Sequence, residues 1–288
     1  MGIKTIKGIK SYILLIGLFS AMGSSAQNIE FGLYGGVSNY MGDVSEQKMK
    51  WDQTHPSIAV MGRYNISPKL TFKGFVGYGM VSGADSLAKA PANKIRNTNF
   101  TSVIYEFSVH MEYNLVRNNL STRGPKPFVP YIFGGLGIFH FNPKTMFQGK
   151  EYELQPLGTE GQGTTIYNER KKYNLTTVCV PIGVGIKKKI TSYLSMGIEA
   201  GLRFTFTNYL DDVGGVYADN LVVASAYGPI AGALSNRTGE VTSDVSFQAK
   251  ENDKRTTIAG LVKNDMYFMA GISLTYIFRH SSDGCPKF

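Results

Sequence analysis

The chain has 288 residues, of which 43% are apolar, 18% are charged and 33 are glycines, and its mean hydropathy is −0.10. This balance excludes both a bundle of transmembrane helices and a disordered chain. Two cysteines and four scattered histidines provide neither a disulfide framework nor a zinc-ligand spacing. The formal charge of +9 suggests nucleic acid or acidic lipid, so its distribution along the chain decides what it means.

Residues 1–26 have the parts of a secretory signal peptide. Three lysines precede the apolar residues 12–19, and Ser24 and Ala26 place small side chains before a cleavage site ahead of Gln27. The apolar run is too short to cross a bilayer as a helix. Removal of this segment takes away three lysines and no acidic residue, which lowers the formal charge from +9 to +6. We therefore expect an exported protein.

The rest of the chain repeats a period-two pattern. In residues 101–113, Val, Tyr, Phe and Met alternate with Ser, Glu and His. Successive side chains of a strand point to opposite faces, so such a segment has one apolar face and one polar face. Most of these segments exceed the typical globular strand of about five or six residues and suit a tilted membrane strand, which needs roughly 9–11. The pattern predicts eight strands, at 28–41, 56–66, 70–82, 100–113, 128–141, 173–186, 193–208 and 265–278.

The connections between these strands alternate in length. Those at one end have 3, 14 and 6 residues, whereas those at the other have 14, 17, 31 and 56, the longest being 142–172 and 209–264. Short turns at one end and long loops at the other are typical of outer-membrane barrels, and a sheet in hydrocarbon must close because an unpaired edge is too costly there. We predict an all-β fold, an eight-stranded antiparallel OmpA-like transmembrane β-barrel. Residues 27–288 form its single domain, with both termini and the tail 279–288 in the periplasm.

A soluble eight-stranded lipocalin-type barrel or a β-sandwich is the competing interpretation, since its apolar face would point inward. In this sequence the charges share a face with many glycines and serines, whereas aromatic residues crowd the other face. Small residues fit inside a narrow barrel and aromatic residues fit the membrane interfaces, which favours the membrane barrel. We then expect an interior ionic network, with passage of protons or ions along it as the functional alternative. Its members are Glu30, Arg63, Lys73, Glu106, His110, Glu112, Glu199 and Arg203.

Candidate catalytic and metal-binding residues are few. His110 lies between Ser108 and Glu112, which resembles a hydrolase set, but the pattern places it inside the barrel near the end with short turns. Lipid-modifying barrels need such residues at the outer, lipid-facing rim, so we expect no catalytic residue and no enzyme. Asp211 and Asp212 are adjacent, and two adjacent carboxylates are not a Ca²⁺ ligand set. We expect no metal, no cofactor and no small-molecule substrate.

The basic residues concentrate at the end of the barrel with the short connections. Only Asp283 opposes them there, which leaves a net charge of +8, whereas the four long loops sum to zero. Two interpretations stay open: attraction to anionic lipid headgroups, worth about 1 kcal/mol per Lys or Arg near the surface, or docking of an acidic periplasmic partner. Nucleic acid is not expected at an end that faces the periplasm. This predicted basic rim consists of Lys69, Arg117, Arg123, Lys126, Lys187, Lys188, Lys189, Arg279 and Lys287.

Five segments and the C-terminal residues carry a resemblance to a known family. They read GGVSNYMGD at 35–43, PYIFGGLGIFHFNP at 130–143, LQPLGTEGQG at 154–163, FTNYLDDV at 206–213, NDMYFMAG at 264–271 and CPKF at 285–288. Together they resemble a Bacteroidota family of small outer-membrane β-barrels that includes PorG, a component of the type IX protein secretion system. The resemblance implies a non-enzymatic secretion component that contacts the periplasmic ring of PorK and PorN. A structural or adhesive barrel that acts through its extracellular loops is the alternative.

The last predicted strand also resembles a signal for barrel assembly. The residues that resemble this signal are Gly271, Leu274, Tyr276 and Phe278. The expected partners are therefore outer-membrane lipid, the periplasmic ring proteins and the barrel-assembly machinery.

Overall fold

A computed structural model describes residues 29–46, 49–118, 127–256 and 264–278. The predicted signal peptide and tail, with Arg123 and Lys126, lie outside these residues. Nine strands are present in the described ranges: β1 Ile29–Met41, β2 His55–Asn65, β3 Leu70–Ala84, β4 Asn99–Asn114, β5 Val129–Phe147, β6 Lys150–Glu153, β7 Thr176–Lys189, β8 Leu194–Thr205 and β9 Met266–Phe278.

Eight of these strands form a closed antiparallel barrel. Each strand pairs with its neighbour in the order β1, β2, β3, β4, β5, β7, β8 and β9, and β9 pairs back to β1 from Ile29 opposite Phe278 to Met41 opposite Met266. β6 is an extra strand that pairs only with the outer part of β5. The predicted eight-stranded antiparallel barrel is confirmed.

The two faces of the strands are as the period-two pattern predicts. Along β4, Phe107 is 58% exposed on the outside, whereas the side chains of Ser108 and Glu112 are buried in the lumen. β8 and β9 alternate in the same way, and Tyr276 and Phe278 are about half exposed on the outer surface. An apolar exterior around an interior with ionised side chains is the arrangement of a barrel in lipid, and it excludes the lipocalin-type interpretation.

The lumen also contains aromatic side chains, although the sequence pattern placed most aromatic residues on the outer face. They pack around the charged residues and fill the space between opposite strands, as expected for the narrow interior of an eight-stranded barrel. This set consists of Tyr34, Tyr40, Phe75, Phe100, Tyr131, Phe133, Phe139, Phe141 and Tyr267. No helix in the described ranges is long and apolar enough to cross a membrane.

β5 and β7 differ most from their predicted bounds. β5 continues to Phe147 and turns through Gln148 and Gly149, both with positive φ, into β6. Two residues with positive φ match the type I′ turn that suits the twist of a hairpin, so part of the predicted loop 142–172 is a strand pair. β7 lies three residues later than predicted, because its ladder with β8 continues to Lys189 opposite Ser195.

The long connections form a packed cap over one end of the barrel. We define the cap as the described residues of 42–54, 85–98, 148–175 and 206–264. Its helices are α1 Pro91–Arg96, α2 Leu154–Leu157, α3 Asn220–Tyr227 and α4 Pro229–Ser235. The buried side chains of Val44, Leu210 and Leu234 belong to the same apolar cluster as lumen residues such as Phe141. The cap is therefore continuous with the barrel interior.

Candidate functional site

The centre of the lumen holds a network of ion pairs. Glu112 accepts hydrogen bonds from Arg63 Nε at 2.9 Å and from Lys187 Nζ at 2.7 Å. Glu199 accepts two hydrogen bonds of 2.9 Å from Lys73 Nζ, and its Oε2 lies 3.5 Å from Arg63 Nη2. Each carboxylate thus has at least two cationic partners, which offsets the cost of burying it.

Further ion pairs lie toward both ends of the barrel. Arg203 Nε donates to Glu106 Oε2 at 3.2 Å, and Arg63 Nη1 lies 3.9 Å from Glu30 Oε2. Sequence analysis placed the predicted network members on the lumen face, and the structure joins them in two groups: Glu106 with Arg203 and His110, and the other members together with Lys187. The ion-paired set has four cations, Arg63, Lys73, Lys187 and Arg203, and four carboxylates, Glu30, Glu106, Glu112 and Glu199.

His110 is enclosed by aromatic rings. Its imidazole stacks between Phe75 and Phe133, with ring centroids 5.8 and 5.2 Å away. Ser108 donates to Glu106 Oε1 at 2.6 Å and lies 2.8 Å from His110 Nε2. The side chains of all three polar residues are buried, and a neighbouring cavity that Glu106 lines has no room for a water molecule. A substrate cannot reach this Ser, His and Glu set in the structure.

Two members of the predicted basic rim lie inside the barrel, so the rim prediction was wrong for them. Lys187 and Lys189 are 3% and 8% exposed, because β7 extends through both residues and their side chains share the inward face. Lys188, between them, points outward, and its Nζ lies 4.5 Å from the centre of the Phe128 ring. The predicted basic turn is the end of a strand, and its lysines are divided between lumen and exterior.

The other described rim residues lie on the outer surface at the end with short turns. Lys69 Nζ lies 5.6 Å from the centre of the Tyr113 ring, and Arg117 is exposed in the connection after β4. Lysines over aromatic rings at the end of an apolar barrel wall are typical of a membrane–water interface. Arg123, Lys126, Arg279 and Lys287 lie outside the described residues.

The residues of the predicted assembly signal lie along the seam between β9 and β1. Leu274, Tyr276 and Phe278 are each about half exposed on the outer face, and the Phe278 ring packs edge-on against Phe31 of β1. Gly271 faces the lumen, where an added Cβ would come within 2.5 Å of a carbonyl oxygen of β1. The seam therefore needs a glycine at this position.

Three buried carboxyl groups meet where the cap joins the barrel. We call Asp43, Asp211 and Asp265 the carboxyl cluster; one oxygen of each lies within 4.8 Å of the others. The hydroxyl of Tyr40 donates to Asp211 and lies 3.0 Å from Asp265 Oδ1. Burial, reinforced by the neighbouring Asp43, raises the pKa of Asp211 to about 8, and burial next to Asp211 raises the pKa of Asp265.

Two buried arginines hold the cap together around this cluster. Arg96 of α1 binds the carboxylate of Asp85 with contacts of 2.7 and 2.8 Å and donates to the backbone oxygen of Arg255 at 2.7 Å. Arg255 Nη1 in turn lies 3.5 Å from Glu160 and 3.6 Å from Asp212. These contacts tie the connections after β3, β6 and β8 to one another.

A family model matches residues 9–233, which is more than half of the chain. It is described as a domain of unknown function, DUF6089. The chain belongs to this family. No curated protein matches it.

Solved structures similar to this DUF6089 chain are small outer-membrane barrels of low identity. The N-terminal barrel domain of OprF from Pseudomonas aeruginosa is 10% identical, with a TM-score of 0.35, over 87% of this chain and 97% of that chain. Ail of Yersinia pestis is 7% identical, with a TM-score of 0.40, over 88% and 100%. Neisserial surface protein A is 11% identical, with a TM-score of 0.37, over 88% and 96%. Since all three TM-scores are below one half, we assign the fold from the strand pairing of the DUF6089 chain itself and not from these similarities.

Sequence reasoning missed the carboxyl cluster of this DUF6089 chain. It noted Asp211 with its neighbour Asp212, whereas the structure joins Asp211 to Asp43 and Asp265. These positions are far apart in the sequence, so no local spacing could have revealed their contact. Two of the segments quoted above for the resemblance contain Asp211 and Asp265, and a third ends at Asp43.

Proposed function

We propose that this barrel is an outer-membrane subunit of the type IX protein secretion system, similar to PorG, that docks the periplasmic PorK and PorN ring to the membrane. It would act by binding and not by catalysis. The quoted sequence segments support the proposal, and so does the small outer-membrane barrel fold. The long connections, folded into the cap, would then lie outside the cell, and the end with short turns would face the periplasm.

The observation that carries the docking role is the sign of the charge at the end with short turns. Among the described residues of the connections 66–69, 115–118, 127–128 and 190–193, the charged ones are Lys69 and Arg117, and no acidic residue is present. Lys188 adds a third cation on the outer surface of β7. A surface of one sign favours a partner of the opposite sign and speeds its association.

Lipid headgroups compete for the same cations. Lys69 and Lys188 lie over Tyr113 and Phe128, as residues at a membrane interface do, whereas Arg117 lies beyond the end of β4 and is exposed. The burial of Lys187 and Lys189 leaves fewer charges for docking than the sequence suggested. We therefore expect Arg117 to contribute to ring binding and the two lysines to contribute mainly to the membrane contact.

Reversal of the exposed charges tests the docking role. In the variant Lys69→Glu, Arg117→Glu, Lys188→Glu, we expect recovery of the ring proteins with the tagged barrel to fall about tenfold or more, since charge reversal replaces attraction by repulsion. Secretion of type IX cargo should fall with it, while the barrel remains folded and heat-modifiable on gels. Lys94→Glu, an exposed lysine of α1 in the cap, is the matched control and should change neither readout.

Unchanged secretion and ring recovery in the triple variant, or normal secretion after deletion of the gene, would contradict the docking role. The second candidate would then be preferred, a structural or adhesive barrel that acts through its loops. One observation favours it: the cap exposes large apolar side chains, with Leu221 78%, Val245 70% and Phe247 62% exposed. Exposed apolar residues on a packed surface are suited to contact with another macromolecule.

A further inference from the structure

A cleft of about 450 Å³ opens on the surface of the cap, between the β5–β6 hairpin and the segment that follows α4. Phe147 and Gln148 line the hairpin side, and Asn236, Arg237 and Glu240 line the other side. The volume of the cleft lies in the range of small-molecule sites, roughly 300–1,000 Å³. These residues belong neither to the lumen network nor to the charges proposed for docking, so the cleft is a separate candidate site.

Backbone pairing and hydrogen bonds hold both walls of the cleft in place. On the hairpin side, the ladder between β5 and β6 extends to Phe147. On the other side, Asn236 donates to the backbone oxygen of Ala249 at 2.8 Å, and Glu240 accepts from Asn97 Nδ2 at 2.9 Å. A site whose walls are fixed before binding loses less conformational entropy when a ligand enters.

The charged side chains of the cleft neutralise each other. Arg237 donates to Glu240 through Nε at 3.0 Å and through Nη2 at 2.9 Å. These two are the charged groups among the described residues that line the cleft, and 37% of the Glu240 side chain stays exposed. A phosphate, sulfate or carboxylate group would therefore find no net positive charge there. The cleft favours a polar ligand that carries no net charge.

The remaining groups of the cleft offer hydrogen bonds and an apolar surface. Gln148 is exposed, and its amide makes no hydrogen bond within the part of the chain that the structure describes. Arg237 Nη1 is buried and has no acceptor among the described residues. The centre of the Phe147 ring lies 5.6 Å from the guanidinium carbon of Arg237. An aromatic ring beside planar polar side chains suits a sugar, which has an apolar C–H face and a rim of hydroxyl groups.

We propose that this cleft binds a neutral sugar residue of a glycan. The sugar hydroxyls accept from Gln148 and Arg237 and donate to Glu240, while the apolar face of the sugar ring covers Phe147. Each hydroxyl is both a donor and an acceptor, so a sugar contacts both members of the ion pair without separating them. The cap lies at the other end of the barrel from the charges proposed for docking, so this binding site does not depend on the docking role.

Saturation-transfer NMR on the full barrel in phospholipid nanodiscs tests the proposal. The ligands are the methyl glycosides of glucose, galactose, mannose and N-acetylglucosamine, with glucuronic acid and glucose 6-phosphate as charged counterparts. We expect saturation transfer to at least one neutral glycoside, with a Kd on the order of 1 mM, and little transfer to the charged sugars. Absence of transfer to every neutral glycoside, or stronger transfer to the charged sugars, would overturn the proposal.

Variants of the two walls show whether the sugar binds in this cleft. Phe147→Ala removes the apolar surface, and Gln148→Gly removes the amide while it keeps the positive φ of the turn. Each should weaken binding of the neutral glycoside about two- to tenfold, as expected for one lost contact or hydrogen bond. Phe247→Ala, a cap phenylalanine that is 62% exposed outside the cleft, is the matched control and should bind like the wild type. Unchanged binding in both wall variants would overturn the proposal.

A charge variant and a change of membrane complete the test. Glu240→Gln keeps the size of the side chain but leaves Arg237 without its counter-charge, so the preference should shift from the neutral glycoside toward glucuronic acid. An unchanged preference would overturn the assignment of a neutral ligand. Nanodiscs that also contain lipopolysaccharide distinguish two sources of the sugar. Weaker transfer to the glycoside there would support a glycan of the membrane itself, and unchanged transfer would support a soluble glycan.

Discussion

At the scale of single residues, Lys187 and Lys188 show how far one step along a strand changes the role of a side chain. Lys187 Nζ lies 2.7 Å from Glu112 in the lumen, whereas Lys188 Nζ lies over the Phe128 ring on the outer surface. The two residues have the same chemistry and adjoining positions in β7. We therefore expect loss of the charge to destabilise the folded barrel strongly at Lys187 and only slightly at Lys188.

We expect Lys187→Met to destabilise the barrel by about 3 kcal/mol, because it leaves a buried carboxylate with one cationic partner fewer. Lys188→Met removes only a cation–π contact on the surface, and should cost about 1 kcal/mol or less. Urea unfolding in detergent, followed by the heat-modifiable gel shift, measures both. Equal effects of the two substitutions would contradict the inward placement of Lys187.

The sequence could not predict this division of the lysines. A run of three lysines has no apolar residues at alternate positions, so the pattern predicts a solvated turn. Only the hydrogen-bonded pairing with β8 shows that the strand continues through it. The same limit applies to the carboxyl cluster, whose three aspartates come from distant parts of the chain. Between Tyr105 and Tyr113 of β4, by contrast, apolar residues alternate with Glu, Ser and His without interruption, and both faces were predictable.

At the scale of elements, closure of the barrel depends on close backbone contact between β1 and β9. Gly271 lies opposite Gly36, and an added Cβ on Gly271 would meet Gly35 O at 2.5 Å and Gly36 Cα at 2.7 Å. Gly35, one residue away on β1, has open space where its Cβ would lie. The seam therefore tolerates a side chain at position 35 but not at position 271.

We expect Gly271→Ala to lower the stability of the folded barrel by about 3 kcal/mol, because backbone atoms of β1 would have to move. The amount of assembled barrel in outer membranes should fall with it. Gly35→Ala, on the same seam, is the matched control and should assemble at the normal level. Normal assembly of Gly271→Ala would contradict the register of β1 and β9.

At the scale of the whole molecule, the chain divides its polar and apolar groups among three regions. The outer wall is apolar, the lumen combines ion pairs with aromatic rings, and the cap closes over one end with its own buried charges. The number of barrel strands and the identity of their outward-facing side chains were predictable, because both follow from the local alternation of apolar and polar residues. The packing of the cap was not, because it joins connections that are distant in sequence through Arg96 and Arg255.

The assignment to the outer membrane depends on the two faces of the barrel wall, which turns its apolar side chains to lipid and encloses its ionised ones. Phe107 and Phe139 test it as a matched pair, since they lie at nearly the same depth on β4 and β5, one 58% exposed outward and the other fully buried in the lumen. A tryptophan can replace each phenylalanine in turn, in a Trp51→Phe background that removes the single native tryptophan. In liposomes of brominated lipid, we expect strong fluorescence quenching for Phe107→Trp and little for Phe139→Trp. Equal quenching, or stronger quenching at position 139, would contradict a barrel whose apolar outer face contacts lipid.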